Sequence, residues 1–480
     1  MPTQLDLPES PQRSRAGGLL GAGFTEGSRM SVDARIRTVH KAQTLSISHL
    51  PGLLRDPLRE FEEMGREADG RIVRANLGPF RPYLITHPDH LQHVLRDNVD
   101  NYRRDGMMWK PLSRLVGETS DADPSWPVKR RVYQDLLSGP STALVADKMV
   151  ATISDAVGEL GERADPERPV DAYEEMTRIV YRTIIRVLIG DRISVSQIDE
   201  LGQVMVTATT SSFRSRMLMP FVPLSVPLPG DRTFNRSVQA VDDLIFPIVR
   251  EARRNGAGGR DVVSLLLNAR GEDGKGIDDR AVRDGITGLF VAATDTTVSV
   301  LTFLWAALDL NPEVRARLYD EMDRVVGEGP PSFEHVADLT YTKMVLHEAL
   351  RLYSVAWIAP RVVEADDLID GVRIKAGAIV AVSPFLTHRL PGIWPQPYVF
   401  DPERFATGRS RHRFAFMAFG GGPNQCAGRV FFFIEAPLIL ATLLSKYRPI
   451  LHSPHPVEPR VDITLKPRDR VKITLEPVRR

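Results

Sequence analysis

The chain has 480 residues, and its 62 Lys and Arg residues nearly balance its 61 Asp and Glu residues, so the formal net charge is +1. This balance argues against a dedicated nucleic-acid-binding protein, because that class normally carries a strong basic excess. The single cysteine, Cys426, excludes an intrachain disulfide, a multi-cysteine zinc site and a cysteine-ligated iron–sulfur cluster.

The first hundred residues open without a regular pattern. Residues 1–45 are rich in Pro, Gly, Ser and Arg and lack a sustained period, which predicts a poorly ordered leader. A helical spacing of apolar residues follows from Pro51 to Ala68. Two strand-like runs, Arg71–Leu77 and Tyr83–Thr86, come next, and a further helix is predicted over Leu91–Arg96.

The middle of the chain, residues 126–350, is predicted to form successive helices separated by short breakers. The longest apolar helix spans Asp279–Asn311. It contains Asp295, and an aspartate in the middle of a membrane span costs about 2.5–3.5 kcal/mol on insertion scales. We therefore predict a buried helix rather than a membrane anchor and, with no convincing secretion signal, a cytoplasmic protein.

Strand patterns return near the C-terminus, at Val372–Val382 and Val461–Leu475, and Pro467-Arg468-Asp469 is predicted to be a hairpin turn within the second run. Helices still dominate. The fold class predicted from these elements is mainly α with small β-sheets.

The cysteine lies in a glycine-rich loop before a predicted helix, Arg429–Leu444. A lone cysteine is usually a buried inert thiol, but glycines let the backbone approach a ligand closely, and a helix N-terminus favours a thiolate. The pattern Phe419-x-x-Gly422-x-x-x-Cys426-x-Gly428 resembles the haem-binding loop of the cytochrome P450 haem-thiolate monooxygenases. The resemblance implies the cytochrome P450 fold enclosing haem b, with Cys426 as the axial iron ligand.

An acidic and a basic residue, Glu348 and Arg351, stand three positions apart on a predicted helix. By itself such a pair is an ordinary surface ion pair that contributes about 0.2–0.5 kcal/mol. The resemblance implies instead a buried trio with Arg404, from the segment Pro-Glu-Arg-Phe, that holds the core around the haem and has a structural role.

A tryptophan and an arginine, Trp126 and Arg130, lie one helical turn apart, so an indole N–H and a guanidinium could both reach one carboxylate. The resemblance implies that this carboxylate is a haem propionate and that Arg361 is a second propionate ligand. The sequence departs from many relatives at Asn424, where they carry Arg or His. His388 is therefore considered as a substitute cation.

Four consecutive polar residues, Thr294 to Thr297, interrupt the long apolar helix. Threonines in a helix commonly bond back to carbonyls of the preceding turn. The resemblance identifies an acid–alcohol pair with Asp295 as the acid and Thr296 as the alcohol, although Ala293 replaces the usual glycine. It implies that Thr296 hydrogen-bonds dioxygen while Asp295 brings protons from solvent.

The resemblance also places a mostly apolar set of side chains around a substrate. Core packing is an equally good interpretation for each of them. The candidates are Met107, Met108, Trp109, Phe213, Met217, Phe290, Ala292, Val355, Trp357 and Ile358. Together they predict an apolar small-molecule substrate, and the habits of the family suggest secondary metabolism.

Residues 46–480 are expected to form a single catalytic domain that inserts one oxygen atom from O2 into this substrate. No flavin or iron–sulfur module is fused to the chain, so electrons from NAD(P)H would arrive through a separate ferredoxin reductase and ferredoxin. Two basic runs, residues 129–131 and 409–413, are the predicted docking surface for an acidic donor. The protein is expected to act as a monomer.

Three other functions remain open at this point. The same fold could perform oxidative coupling or desaturation without oxygen insertion. Cys426 could be the nucleophile of an acyl-transfer enzyme, which would require a histidine base within hydrogen-bond distance. A non-catalytic haem sensor is the third, but such a protein has no use for Asp295 and Thr296.

Overall fold

The computed structural model describes residues 41–45, 48–76, 81–104, 110–118, 123–164, 167–211, 215–216, 222–327 and 329–478. Helices dominate this part of the chain, which confirms the mainly α prediction. The α-helices are α1 His49–Arg55, α2 Pro57–Ala68, α3 Pro88–Gln92, α4 Ser113–Val116, α5 Trp126–Leu136, α6 Gly139–Ala143, α7 Ala146–Arg163, α8 Ala172–Ile189, α9 Val195–Ser211, α10 Asp231–Asn255, α11 Val262–Asn268, α12 Asp279–Leu310, α13 Pro312–Val325, α14 His335–Asp338, α15 Thr340–Tyr353, α16 Pro384–Thr387 and α17 Arg429–Lys446.

The strands are short and form small sheets. They are β1 Gln43–Thr44, β2 Val73–Arg74, β3 Tyr83–Ile85, β4 Tyr102–Arg103, β5 Val170–Asp171, β6 Ala359–Val363, β7 Asp367–Ile369, β8 Val372–Ile374, β9 Ile379–Val382, β10 Tyr447–Leu451, β11 Pro459–Arg460, β12 Lys466–Pro467 and β13 Lys472–Pro477. The largest sheet has the order β1-β2-β3-β9-β6-β4, and a second has the order β10-β13-β5. Two-stranded pairs β7-β8 and β11-β12 complete the β part.

The predicted leader is wrong at its C-terminal end. Gln43 and Thr44 form β1, which pairs in parallel with β2, and Leu45 is buried. Its backbone N–H also donates to the carbonyl of Arg74 at 2.9 Å. The preceding residues, 1–40, lie outside the described part of the chain.

The single helix predicted over residues 51–68 is two helices. Asp56 interrupts it, and its side chain accepts a hydrogen bond from the backbone N–H of Arg59, which caps α2. Pro57 follows at the first helical position, where a missing N–H costs nothing. The helix predicted over residues 91–96 is also altered, because α3 continues into a π-helical turn at His93–Asp97.

The predicted strand runs near the C-terminus pair differently from the expectation. Residues 372–382 divide into β8 and β9, separated by a turn with Gly377 at a φ of +75°. The predicted hairpin at Pro467–Asp469 is wrong, because β12 pairs with β11 whereas β13 pairs with β10 and β5. Sequence alternation alone does not say which strand is the partner.

Helix α12 passes through the core, and its bounds agree with the predicted helix to within a residue. The side chain of Asp278 accepts from the N–H of Ala281 at 2.7 Å and caps its start. The helix is long and apolar enough to cross a membrane by composition, but 78% of its most apolar window is buried inside the protein. This burial agrees with the prediction of a core helix.

Candidate functional site

The cysteine loop is closed on itself and packed against the π-helical turn. The N–H of Cys426 donates to the carbonyl of Phe419 at 2.9 Å, and the N–H of Gln425 donates to that of Gly422 at 3.1 Å. Gly422 has a φ of +69°, and a Cβ built on it would lie 1.8 Å from the carbonyl oxygen of Leu95. Only glycine therefore fits this position, both by its conformation and by the space available.

The thiol of Cys426 is exposed at the end of this loop. The surrounding protein raises its pKa by desolvation, while the N–H of Gly428 and the guanidinium groups of Arg130 and Arg104 act in the opposite direction. The net shift is upward, so the free thiol holds its proton at neutral pH. A metal ion bound at the sulfur would displace that proton, as metals do from coordinated thiols.

Two arginines fasten the loop from outside. Arg130 Nη2 donates to the carbonyl oxygens of Pro423 and Gln425 at 2.6 and 3.1 Å. Arg104 Nη2 donates to the intervening carbonyl of Asn424 at 2.7 Å. Three successive carbonyls before Cys426 thus receive charge-assisted hydrogen bonds, which are stronger than neutral ones.

The residues predicted to bind propionates lie on two elements. Trp126 and Arg130 are partly exposed on the first turns of α5. Arg361 lies in β6 opposite Val380 of β9, and its Nη1 donates to the carbonyl of Pro360 at 2.8 Å. Hydrogen-bond donors are therefore present on α5, from Trp126 and Arg130, and in the largest sheet, from Arg361.

The suggestion that His388 replaces a missing cation is wrong. The imidazole is fully buried, with Nδ1 2.8 Å from Ser354 Oγ and Nε2 accepting the N–H of Met417 at 2.9 Å. Burial, and then the charges of Arg351 and Arg389, hold the pKa of His388 well below its usual value. The ring is neutral and ties the segment before the cysteine loop to the end of α15.

The trio predicted from the sequence is assembled in the core. Glu348 and Arg351 are both fully buried, with Nε–Oε2 at 2.7 Å and Nη2–Oε1 at 2.8 Å, and Arg404 Nε lies 3.3 Å from Glu348 Oε1. Buried charges are tolerated when each is paired and hydrogen-bonded. The remaining guanidinium N–H groups bond backbone carbonyls of His388, Pro395, Gln396, Pro397 and Val399.

An accessible strip interrupts the buried middle of α12. Ala292 is exposed and Thr296, one turn later, is partly exposed, whereas Thr294 and Thr297 are buried. The hydroxyl of Thr296 reaches the carbonyl of Ala292 only at 3.3 Å, against 2.7 Å for the bond from Thr294 to Phe290. Because a normal O–H···O bond is about 2.7–2.8 Å, the hydroxyl of Thr296 is weakly held and faces an open space.

Asp295 lies on another face of the helix from Thr296. Its carboxylate is buried and forms an ion pair with Lys466 of β12, with Nζ–Oδ2 at 3.0 Å. Burial acts to lower the pKa of Lys466, but Asp295, Tyr173 and Asp462 outweigh it and raise the pKa. Sequence reasoning missed Lys466, because it lies far along the chain and a lysine normally signals an exposed position.

The described pocket candidates differ in accessibility. Ala292 is exposed and Ile358 is partly buried, whereas Phe290 and Val355 are buried in the core. Trp357 was expected to face the substrate, but its ring packs edge-on against Phe61 at 5.4 Å and its N–H donates to the carbonyl of Asp462 at 3.2 Å. This packing gives Trp357 a core role. The other five candidates, Met107, Met108, Trp109, Phe213 and Met217, lie outside the described residues.

The two basic runs are only partly available at the surface. Lys129 is buried and pairs with Asp123 at 2.5 Å. Arg411 lies over the ring of Trp394 at 4.5 Å and bonds the carbonyl of Arg404. The exposed basic residues in these runs are Arg131, Arg409, His412 and Arg413.

Comparisons with known proteins agree with this geometry. The cytochrome P450 family model matches residues 46–474. Cyclooctat-9-en-7-ol 5-monooxygenase from Streptomyces melanosporofaciens is 32% identical over 84% of this chain and 87% of its own. Pentalenene oxygenase from Streptomyces avermitilis is 29% identical over 87% of this chain and 91% of its own.

The fold is also that of solved structures. The crystal structure of cytochrome P450DA heme domain superposes with a TM-score of 0.82 at 22% identity, covering 92% of this chain and 98% of the other. Together the matches define a haem-dependent oxidoreductase. The chain belongs to the cytochrome P450 family and is a monooxygenase, as the cysteine-loop motif predicted.

Proposed function

We propose that this monooxygenase inserts one oxygen atom from O2 into an apolar small molecule of secondary metabolism, with haem b ligated by Cys426. The observation that carries the proposal is the exposed thiol at the end of a loop whose backbone carbonyls accept hydrogen bonds from Arg130 and Arg104. A ligand sulfur needs this combination of access and fixed position, because hydrogen bonds from the groups around a metal ligand orient it.

The residues present fit a flat, anionic iron cofactor. The exposed sulfur supplies an iron ligand, and the adjoining Gly428 carries no side chain; a Cβ there would only make van der Waals contact with Sγ, at 3.7 Å. Trp126, Arg130 and Arg361 would hold the carboxylates through N–H donors. When bound, the haem supplies the redox centre for dioxygen, and thiolate ligation favours cleavage of the O–O bond.

The two polar residues of α12 have separate tasks in this proposal. Thr296 presents a weakly held hydroxyl on the accessible strip, from which it donates a hydrogen bond to dioxygen. Asp295 is held by Lys466 away from that strip. For Asp295 to pass a proton toward Thr296, its carboxylate must leave Lys466 by a change of side-chain rotamer and take up a proton from solvent, which it then releases on the Thr296 side; the ion pair is thus part of proton delivery.

The substrate class rests on the relatives and on the helix surface. The two relatives bear names of an unsaturated alcohol and an unsaturated hydrocarbon. The accessible strip of α12 around Ala292 and the partly buried Ile358 offer apolar surface. An apolar molecule with few polar groups fits both, and the position oxidised follows from how it packs against them.

Electrons are proposed to come from NAD(P)H through ferredoxin reductase and a ferredoxin in the cytoplasm, with residues 46–480 acting as one monomeric catalytic domain. The exposed cations Arg131, Arg409 and Arg413 support docking of an acidic donor. Oxidative coupling or desaturation is the second candidate, since it needs the same fold and site. Product mass after turnover under isotopically labelled O2 separates the two.

Spectroscopy of the reduced protein with carbon monoxide tests the proposal. We expect a Soret band at the long wavelength characteristic of thiolate ligation. Cys426→Ser should lose that band, while Ser445→Ala, a substitution at the far end of α17, should keep it. A wild-type band at the position typical of histidine ligation would refute Cys426 as the ligand.

A further inference from the structure

Asp367, at the start of β7, gathers three donors from one segment of the chain. Its Oδ2 accepts from Tyr102 Oη at 2.6 Å, His93 Nε2 at 2.8 Å and Asn98 Nδ2 at 3.0 Å. Burial acts to raise the pKa of Asp367, but the hydrogen bonds from Tyr102 and His93 outweigh it and lower the pKa. The ionised carboxylate therefore clamps residues 93–102 at three points.

The clamped segment contacts the cysteine loop directly. Its first part is the π-helical turn at His93–Asp97, and the backbone of Leu95 packs against Gly422 so closely that no side chain fits between them. Single π-turns inside helices occur frequently at functional sites. Here the widened turn brings the Leu95 carbonyl onto the loop four residues before Cys426.

The same segment reaches the loop a second time at its other end. Tyr102 and Arg103 form β4, which pairs with β6, and Arg104 follows immediately. Arg104 Nη2 then donates to the carbonyl of Asn424 at 2.7 Å. Both contacts therefore depend on where Asp367 holds the segment between them.

We propose that Asp367 is a positioning residue for Cys426, which acts through the π-helical turn and Arg104 to hold the cysteine loop in its ligating position. The proposal rests on the proposed role of Cys426 as the haem ligand. Asp367 does not touch the loop itself, so its influence is mechanical. Three hydrogen bonds to one carboxylate make it a stiff anchor, because charge-assisted bonds are short and strong.

The neighbouring carboxylate provides a matched control. Asp366 accepts the N–H of Ala376 at 2.9 Å and a hydrogen bond from Arg373 Nη2 at 2.7 Å, so both bonds hold β8 and the turn that follows it. It is adjacent in sequence and carries the same charge. Its bonds do not reach residues 93–104 in the described part of the chain, so Asp366→Asn alters the turn without releasing the segment.

The experiment uses the haem-loaded protein and compares Asp367→Asn, Tyr102→Phe and Asp366→Asn with the wild type. We measure transfer of haem to an excess of a haem-binding acceptor protein, and amide hydrogen exchange over residues 419–428. Because each lost charge-assisted bond weakens the anchor, haem loss in Asp367→Asn should be faster by about tenfold, with faster exchange in the loop. Tyr102→Phe should be intermediate, and Asp366→Asn should stay within about twofold of the wild type.

Equal haem loss and equal loop exchange in all four proteins would overturn the proposal. Tyr102→Phe keeps the ring and removes one donor only, so it gives an answer if Asp367→Asn does not fold. The wild-type carbon monoxide spectrum separates this result from a failure of the proposed function. Absence of a thiolate-type band contradicts Cys426 as ligand, while loop exchange still decides whether Asp367 braces the loop.

Discussion

Asp295 of α12 and Lys466 of β12 form an ion pair in the core, with Nζ–Oδ2 at 3.0 Å and each side chain only 4% exposed. It joins the middle of the long helix to a C-terminal strand pair. The same C-terminal segment bonds the residues after α15, through the N–H of Leu465 and the carbonyl of Val355 at 2.9 Å. The carboxylate proposed to deliver protons, the C-terminal strands and a predicted substrate segment are thus mechanically connected.

Removing Lys466 should lower the free energy of unfolding. Lys466→Met leaves Asp295 buried without a partner, and breaking a buried pair costs about 3–5 kcal/mol of unfolding free energy. Urea unfolding followed by circular dichroism measures the loss. The double variant Asp295→Asn with Lys466→Met should recover most of it, and Lys472→Met, at an exposed position, should change little. A double variant no more stable than Lys466→Met alone would contradict the pairing argument.

Thr296 should control whether electrons reach the product. Thr296→Ala removes the accessible hydroxyl, and positioned proton donors contribute on the order of 100-fold or more to rate. We expect NAD(P)H consumption to continue while product falls and hydrogen peroxide rises. Thr296→Ser keeps the hydroxyl and should stay close to the wild type. The ratio of product to NAD(P)H consumed, measured with an apolar compound that the wild type oxidises, decides; an unchanged ratio in Thr296→Ala would refute the role.

The buried Glu348 should contribute far more to stability than Glu403, which directly precedes Arg404 in the sequence. Glu348→Gln leaves Arg351 and Arg404 without a buried counter-charge, at a cost of about 3–5 kcal/mol. Glu403→Gln breaks only an ion pair with Arg317 whose side chains are 41% and 58% exposed, and such pairs contribute about 0–1 kcal/mol. Thermal unfolding of both variants measures the contrast. Similar losses would show that burial does not set the difference.

Two glycines of the cysteine loop separate backbone strain from close packing. Gly420 and Gly422 have φ values of +68° and +69°, but a Cβ on Gly420 meets nothing within 4 Å, whereas one on Gly422 would lie 1.8 Å from the Leu95 carbonyl. Gly420→Ala should cost about 1–2 kcal/mol for the left-handed conformation. Gly422→Ala should cost more and also displace the loop, seen as faster haem loss. Equal haem loss in the two variants would contradict a tight contact with Leu95.

The N-terminal helices should weaken as the pH rises. His49 contacts Glu60 and lies 3.1 Å from Glu67, and although burial acts to lower its pKa, the two carboxylates raise it above 6.5. A folded pKa above the unfolded value means that the stabilisation is present below about pH 6.5 and is lost as the pH rises through the raised folded value. The effect should stay below about 1 kcal/mol, since the site is partly solvated.

The unfolding free energies of the wild type, His49→Gln and Glu67→Gln, measured at several pH values from about 5.5 to about 8.5, test this dependence. Relative to His49→Gln, the wild type should lose all of its extra unfolding free energy across that range. Glu67→Gln should show a shallower loss, because one carboxylate remains. A flat difference between the wild type and His49→Gln would refute the ion-pair argument.

The sequence by itself determined the features that depend on local patterns or on short motifs. The bounds of α12 follow from a mostly apolar helical pattern between the Asp278 cap and Pro312. The family follows from residue types at fixed spacings around Cys426, and these residues are close together in the sequence. The helix break at Asp56 was not predicted, because the helical spacing of apolar residues continues across it.

Only the tertiary structure decided which distant groups meet. Lys466 beside Asp295, and Asp367 holding the segment that supports Gly422, join residues remote in sequence. The strand partners of β12 and β13 and the burial of Trp357 belong to the same kind of fact. The physical reason is that periodicity reports which face of an element is apolar, whereas the partner of a buried charge or strand is set by how all the elements pack together.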